Sequence, residues 1–113
     1  MDCLFCRIAA GEIPSTKVYE HETVYAFRDI NPQAPVHVVI IPKKHIASSA
    51  DEITSENSGT SAKLFEAIPK VAEAAGVTNG YRIVNNCGPD ACQSVQHIHF
   101  HLLGGKQLAD SMA

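Results

Sequence analysis

The sequence predicts an α+β fold with a mostly antiparallel sheet. Short segments rich in β-branched and aromatic residues lie on both sides of one segment with helical periodicity. The first two of these segments are separated by only a brief polar break, as in a hairpin. An order of strands, one main helix and further strands is typical of α+β proteins. The length of 113 residues predicts a single domain over residues 1–113.

Three strands are predicted in the first part of the chain. Residues 16–21 (TKVYEH) and 23–30 (TVYAFRDI) form the predicted hairpin. Residues 31–35 (NPQAP) contain two prolines, which forbid continued strand pairing and predict a turn. Residues 36–42 (VHVVIIP) are almost entirely apolar, which predicts a strand buried on both faces, with His37 as the exception.

A main helix is predicted over about residues 58–75. Apolar residues recur there at helical spacing, at Leu64, Ile68, Val71 and Ala75. Pro69 lies inside this pattern and is expected to kink the helix or split it. Gly76 is a natural stop.

The C-terminal part predicts two more strands joined by a loop. Residues 81–85 (YRIVN) read as a fourth strand and residues 95–103 (VQHIHFHLL) as a fifth. Between them, residues 86–94 (NCGPDACQS) are rich in turn formers and predict a loop.

Composition restricts the class of protein. The net charge of −3 provides no general attraction to nucleic acid or to an anionic membrane. There is no apolar run near 18 residues, and the N-terminus lacks the pattern of a secretory signal. The four cysteines are therefore expected to be reduced thiols in the cytoplasm, with two disulfides in a secreted protein as the competing interpretation.

Three of the six histidines alternate with apolar residues in the fifth predicted strand. On a strand, His97, His99 and His101 would share one face at intervals of about 6.5–7 Å, with the apolar residues facing the core. Such a face could be simply solvated, could bind a metal, or could carry acid–base and nucleophilic catalysis.

The loop that precedes the histidines favours the last of these interpretations. A turn-rich loop can direct several backbone N–H groups at one point and so form an anion site, to which Gln93 and Ser94 can add donors. A nucleophile beside an anion site indicates phosphoryl chemistry. A catalytic metal would require an acidic partner, and none is close to the histidines in sequence.

The segment CQSVQHIHFHLLGG, residues 92–105, closely resembles the signature of the histidine triad (HIT) superfamily. Its Leu-Leu-Gly-Gly ending is similar to the Hint branch, the purine nucleoside phosphoramidases. CLFCRIAAGEIPSTKVYE, AFRDINPQAPVHVVIIPKKHI and YRIVNNCG also resemble family segments, in family order. The resemblance implies the HIT-like fold of five antiparallel strands and one main helix. It also implies a homodimer in which two sheets join into one of ten strands.

The resemblance implies hydrolysis of the P–N bond of purine nucleoside 5′-phosphoramidates, or of aminoacyl-adenylates, through a nucleotidyl-histidine intermediate. His99 matches the family nucleophile, whose second ring nitrogen donates to a backbone carbonyl. His101 matches the histidine that contacts the phosphate, and His37 a histidine of the same cluster. Ser94 matches a serine that assists the leaving amine. A nucleophile of this kind must be neutral, so activity is expected to fall below about pH 6–6.5 unless neighbouring groups shift the ring pKa.

Other family positions bind the nucleotide. Asn86 and Gln93 match residues at the phosphate, and Asp29 matches the carboxylate that accepts hydrogen bonds from both ribose hydroxyls. Apolar residues that match the walls around the base are Leu4, Phe5, Ile8, Ile13, Phe27 and Ile30. Family members often have Gly-Gly where this chain has Ala91-Cys92, so a positive φ there would be strained.

The pair Cys3 and Cys6 has the spacing of half a structural zinc site. It resembles a subset of HIT proteins in which the remaining ligands match His45 and His97. The resemblance thus implies a structural zinc, with no metal required for the chemistry and free thiols as the alternative.

Three other functions stay open on the sequence alone. One is dinucleoside polyphosphate hydrolysis within the same superfamily, and another is a nucleotide-binding regulatory module with little catalysis. The third is a metal-dependent β-barrel enzyme, which chelators would inactivate. The expected partners are a purine nucleotide and a second copy of the chain, with no nucleic acid and no membrane.

Overall fold

The computed structural model describes residues 3–113, and its core is a five-stranded antiparallel sheet. The strands are β1 (Lys17–Glu20), β2 (Val24–Arg28), β3 (Val36–Pro42), β4 (Tyr81–Val84) and β5 (Phe100–Gly104), in the spatial order β1-β2-β3-β5-β4. Two α-helices accompany the sheet, α1 (Leu4–Ala9) and α2 (Ser58–Ala74), with 3-10 turns at Ala50–Glu52 and Pro89–Ala91. The predicted α+β class and five-stranded sheet are confirmed.

Each face of the sheet packs against one helix, because successive side chains of a strand point to opposite faces. Helix α2 covers the face that contains Val24, Ala26, Val38, Ile40, Phe100 and Leu102. Helix α1 covers part of the other face, which contains Tyr25, Phe27, Val39 and Ile41. His37 and His101 have the parity of this second face, so they open on the side of α1. Strand β3 is buried on both faces, as predicted.

Helix α2 continues through Pro69 as one helix of 17 residues, so the predicted split does not occur. Proline removes one hydrogen bond, normally made to the carbonyl four residues earlier, here that of Phe65. Both Pro69 and Phe65 are exposed, so water can solvate this carbonyl. The opposite face of the helix buries Leu64, Ile68 and Val71, among others, which stabilises the helix as a whole. Gly76 follows the helix with φ of 77°, consistent with the predicted stop.

The fifth strand is shorter than predicted and begins at Phe100 instead of residue 95. Residues 95–99 lie outside the ladder and bond to the end of β3 and to the loop after it. The Ile98 N–H donates to the Ala47 carbonyl at 2.8 Å, and the His97 ring bonds the Pro42 carbonyl at 2.8 Å. The alternation of buried apolar residues nevertheless continues through Ile98, Phe100 and Leu102.

Helix α1 was not predicted. Its six residues are too few to show helical periodicity, and its N-cap is a cysteine, Cys3, whose sulfur accepts from the Cys6 N–H. Within residues 3–113, no helix is long and apolar enough to cross a membrane.

Candidate active site

Two adjacent strands bring His37 and His101 together. In the β3–β5 register, His37 is opposite Leu103 and His101 is opposite Val39, so the two histidines are diagonal neighbours on one face. His37 Nε2 lies 2.8 Å from His101 Nδ1. The ring centroids of His99 and His101 are 5.1 Å apart.

The hydrogen bonds around His37 determine which nitrogens of this pair carry protons. The backbone N–H of Gln33 donates to His37 Nδ1 at 3.0 Å, so the proton of the neutral His37 ring is on Nε2. Nε2–H then donates to His101 Nδ1. His101 consequently carries its own proton on Nε2, as a donor that is available to a ligand.

His99 is held in the opposite tautomer. Its Nδ1–H donates to the backbone carbonyl of His97 at 2.8 Å, which leaves a lone pair on Nε2. The side chain of Asn85 donates to the His99 carbonyl at 2.8 Å and so fixes the backbone. Phe5 packs edge to face on the His99 ring, with the centroids 5.0 Å apart.

The surroundings keep these imidazoles neutral. Burial lowers the pKa of His37 and His99 below the ordinary histidine value, although the Asp29 carboxylate partly opposes this. Burial, together with repulsion from His99 and His37, lowers the pKa of His101 to about 4. At neutral pH the cluster therefore offers one unprotonated nitrogen, at His99, beside one N–H donor, at His101.

A cavity of about 180 Å³ opens beside the histidine pair. Its lining residues are Gln33, His37, Val84, Asn86, His101 and Leu103. Asp29 lies close by, since its Oδ2 is 3.4 Å from His37 Nε2, and its Oδ1 accepts from the Asn31 N–H at 2.8 Å. Asn86 and Asp29 were both predicted site residues, and the structure places them around the same two histidines.

The predicted apolar wall divides into buried and exposed members. Phe5, Ile8 and Phe27 are buried in the core on the α1 face, and Ile13 packs against them. Leu4 is 47% exposed and Ile30 is fully exposed. Leu4 and Ile30 are thus accessible at the surface, whereas among the buried residues Phe5 packs directly on His97 and His99.

The loop before the histidines is closed by its own hydrogen bonds. The backbone N–H groups of Ala91, Cys92 and Gln93 donate to carbonyls within the loop, and the Gly88 N–H donates to Gln93 Oε1. The expected anion site therefore cannot use these four amides.

Gln93 and Ser94 differ in what they offer to a ligand. Both N–H groups of the Gln93 amide are used within the protein, by the carbonyls of Ser48 and Val95, so Gln93 shapes the loop. Ser94 is exposed, and its hydroxyl makes no hydrogen bond with any residue in 3–113. Asn86 donates to the Ala91 carbonyl at 2.8 Å and ties the loop to β4.

Cys92 has φ of 61°, in the left-handed region that L-residues avoid. Ala91 lies in the 3-10 turn Pro89–Ala91 and has no positive φ. Of Ala91 and Cys92, only Cys92 is therefore strained.

The ligand atoms of Cys3, Cys6, His45 and His97 lie within 4.8 Å of one another. Sulfur–nitrogen distances are 3.4 Å for Cys3–His97, 3.5 Å for Cys6–His97 and 3.6 Å for Cys6–His45. A tetrahedral zinc ion with Zn–S of about 2.3 Å and Zn–N of about 2.0–2.1 Å would separate its sulfur and nitrogen ligands by about 3.6 Å. The donor geometry therefore fits a tetrahedral metal. None of the four cysteines forms a disulfide, so the sulfurs of Cys3 and Cys6 are available as ligands.

The state of the His97 ring also fits a metal ligand. Its Nε2 is 2.8 Å from the Pro42 carbonyl, so Nε2 carries the proton and Nδ1 directs a lone pair at the two sulfurs. Burial lowers the pKa of His97, which keeps the ring neutral. A backbone carbonyl that accepts from the other ring nitrogen is a usual partner of a metal-bound histidine.

A second group, Asp29, His37 and His101, is also compact enough to hold a metal. However, the Gln33 N–H occupies His37 Nδ1 and therefore keeps a proton on Nε2, the nitrogen that faces the group. The distance of 2.8 Å between the two histidine nitrogens is that of a hydrogen bond. Two nitrogens on one tetrahedral ion would be about 3.3 Å apart. This group fits a proton relay better than a metal.

Three positioning groups were not among the predicted residues. The Gln33 amide and the Pro42 carbonyl are backbone atoms, for which a sequence carries no signal at all. The Asn85 side chain does carry a signal in the sequence, because an amide at a strand end is suited to bonding backbone groups of the neighbouring strand.

Comparisons with known proteins show the family of this chain. The HIT domain family matches residues 10–108. A 14 kDa zinc-binding protein of Zea mays is 50% identical over 109 residues, which cover 93% of this chain and 83% of that protein. The purine nucleoside phosphoramidase of Escherichia coli strain K12 is 39% identical over 113 residues, with 99% and 94% covered. A solved HIT family hydrolase from Clostridium thermocellum has a TM-score of 0.93 and 47% identity, with 99% and 97% covered. The chain therefore belongs to the HIT family.

Proposed function

We propose that this HIT protein is a hydrolase that cleaves the P–N bond of purine nucleoside 5′-phosphoramidates, with aminoacyl-adenylates as a related substrate class. The observation that carries the proposal is the fixed tautomer of His99, whose Nδ1–H is committed to the His97 carbonyl. A neutral imidazole with a free Nε2, next to a histidine N–H donor, is suited to attack on phosphorus. The name of the Escherichia coli relative supports the substrate class.

The proposed reaction has two displacements on the same phosphorus atom. His99 Nε2 forms a bond to the α-phosphorus as the P–N bond of the substrate breaks, and the departing nitrogen takes the proton of the Ser94 hydroxyl, which regains one from solvent. Water then attacks phosphorus and gives up one proton to solvent as the bond to Nε2 breaks, so the products of the two steps are an amine and a nucleoside monophosphate. Throughout, His101 Nε2–H donates to a phosphate oxygen, since His37 holds its other nitrogen.

The nucleoside is bound by the groups around the histidines. Asp29 would accept hydrogen bonds from the two ribose hydroxyls, for which a carboxylate has enough acceptor sites. The base would lie against the exposed Leu4 and Ile30, above the layer formed by Phe5, Ile8, Ile13 and Phe27. Asn86 and the loop shaped by Gln93 lie at the phosphate end.

The proposal includes a bound metal and a dimer. Cys3, Cys6, His45 and His97 would hold a structural Zn²⁺, which provides a cross-link and takes no part in the displacements. The name of the Zea mays relative supports this choice of ion. The chain would form one domain over residues 1–113, work as a homodimer and reside in the cytoplasm, where its four cysteines stay reduced.

Substitution of the nucleophile tests the proposal. We expect His99→Ala to abolish hydrolysis of adenosine 5′-monophosphoramidate while it still binds adenosine monophosphate. His21→Ala is the matched control, because His21 is exposed and distant from the cluster in the sheet. Diadenosine polyphosphate should be turned over much more slowly than the phosphoramidate. A wild-type protein that binds the nucleotide but hydrolyses neither substrate would contradict the proposal and favour a binding module.

A further inference from the structure

One residue, His97, connects the candidate metal-binding group (Cys3, Cys6, His45 and His97) to the nucleophile, His99. The side chain of His97 lies in the metal-binding group, with Nδ1 3.4 Å from Cys3 Sγ. Its backbone carbonyl accepts the Nδ1–H of His99 at 2.8 Å. The atom that determines the tautomer of the nucleophile therefore belongs to a residue whose side chain lies in the metal-binding group.

The position of the His97 carbonyl depends on its ring. Residues 95–99 lie outside the β-ladder, so the regular pairing of a sheet does not fix them. The ring is completely buried and is attached at Nε2 to Pro42 and at Nδ1 to the two sulfurs. Within residues 3–113, the backbone of this segment is also held by the Ile98 N–H, which donates to the Ala47 carbonyl, and by the side chains of Asn85 and Gln93, which donate to the carbonyls of His99 and Val95. None of these bonds is made to the His97 carbonyl itself, so loss of the ring's attachment would loosen this carbonyl.

Helix α1 forms a second connection to the nucleophile. The two cysteines flank Phe5, whose ring packs edge to face on His99, His97 and Phe27, at centroid distances of 5.0, 5.9 and 5.6 Å. A helix of six residues has little stability of its own, so tertiary contacts must hold it. The metal-binding group is one of those contacts. It joins α1 to the end of β3 and to residues 95–99.

We propose that Cys3, Cys6, His45 and His97 are positioning residues for His99. With a zinc-class divalent ion bound, they fix the His97 carbonyl and the Phe5 ring, and these two in turn fix the tautomer and the place of the nucleophile. The four residues act on His99 and make no contact with the substrate in this proposal. The inference rests on the proposed function for its kinetic consequence, but the structural consequence can be measured without any substrate.

His45 provides the sharpest test, because it belongs to the group but makes no contact with His99. Its Nδ1 is 3.6 Å from Cys6 Sγ, and its ring packs on His97. We expect His45→Ala to lose the metal and to lower kcat by about tenfold or more, because the His97 carbonyl and the Phe5 ring would no longer hold His99 in place. His45→Cys gives a set of three cysteines and one histidine, which is also a known zinc ligand set. This variant should retain the metal and most of the kcat.

A second readout is independent of turnover. In the wild type, ¹⁵N NMR of the His99 ring should show a single Nδ1–H tautomer, and in His45→Ala a mixture of tautomers. If His45→Ala does not fold, the same spectra are recorded on wild-type protein stripped of metal by a chelator and then reloaded with Zn²⁺. A metal-free protein with unchanged His99 signals and unchanged kcat, whatever its melting temperature, would overturn the inference. If the wild type hydrolyses no phosphoramidate, the proposed function fails, but the spectra still decide this inference.

Discussion

At the scale of single residues, the chemistry depends on where each imidazole keeps its proton. The sequence identified His99, His101 and His37, but a tautomer is determined by the groups at each ring nitrogen. Here these groups are the backbone atoms of His97 and Gln33, whose positions follow from the folded chain. The residue types, and a backbone carbonyl as the partner of His99, were therefore predicted through the family resemblance, whereas the tautomers of His37 and His101 were not.

The pH dependence of the rate follows from the burial of these rings. For free imidazole, the acid limb would lie near pH 6–6.5. The folded protein lowers the pKa of His37 and His99 and brings that of His101 to about 4, so the neutral, active forms persist to lower pH. We therefore expect the midpoint of the acid limb of kcat/KM below pH 6.5. A measured midpoint at or above 6.5, with the protein still folded, would contradict this.

At the scale of elements, the strands and the main helix were predictable because their patterns are long and regular. The fifth strand was predicted too long because its alternation of buried residues persists after the ladder has ended. Residues 97 and 98 find their partners in Pro42 and Ala47, which lie far away in sequence. Helix α1 was not predicted because it is too short to show helical periodicity. Its stability comes from Cys3, Cys6 and the apolar core.

The loop before β5 allows a direct test of backbone strain. Cys92 has φ of 61°, which costs an L-residue roughly 1–2 kcal/mol, whereas glycine adopts this conformation freely. We expect Cys92→Gly to raise the free energy of unfolding by about 1 kcal/mol in urea denaturation.

Ala91→Gly is the matched control, because Ala91 lies in the adjacent turn without a positive φ. It should lower the free energy of unfolding by about 0.5–1 kcal/mol, since glycine loses more backbone entropy. Equal effects of the two substitutions would show that the conformation of Cys92 carries no strain.

At the scale of the whole molecule, the sheet has two edges, β1 and β4, and apolar groups are exposed near one of them. Phe65 is 57% exposed and packs on Phe100 of β5, and Tyr81 at the start of β4 is 39% exposed. An open strand edge beside apolar side chains is a surface for pairing with a second copy. The ten-stranded sheet that the family resemblance implies stays a prediction, and this edge is where we expect it to form.

Sedimentation equilibrium tests the dimer. The wild type should sediment at twice the chain mass of 12.2 kDa. Phe65→Ser should shift the equilibrium toward monomer, whereas Lys63→Ser, an exposed change on the same helix, should not. A wild type that remains at the mass of one chain at all concentrations would exclude the dimer.

The central claim is that a neutral His99 becomes covalently bonded to the nucleotide, and chemical trapping tests it most directly. Protein mixed briefly with adenosine 5′-monophosphoramidate is quenched under alkaline denaturing conditions, which preserve a phosphorus–nitrogen bond to histidine, and is mapped by peptide mass spectrometry. We predict an adenylyl group on the peptide that contains residues 97–101, at His99, and its absence in His99→Ala. An adduct on another residue, or turnover without any adduct at the shortest mixing times, would contradict the account.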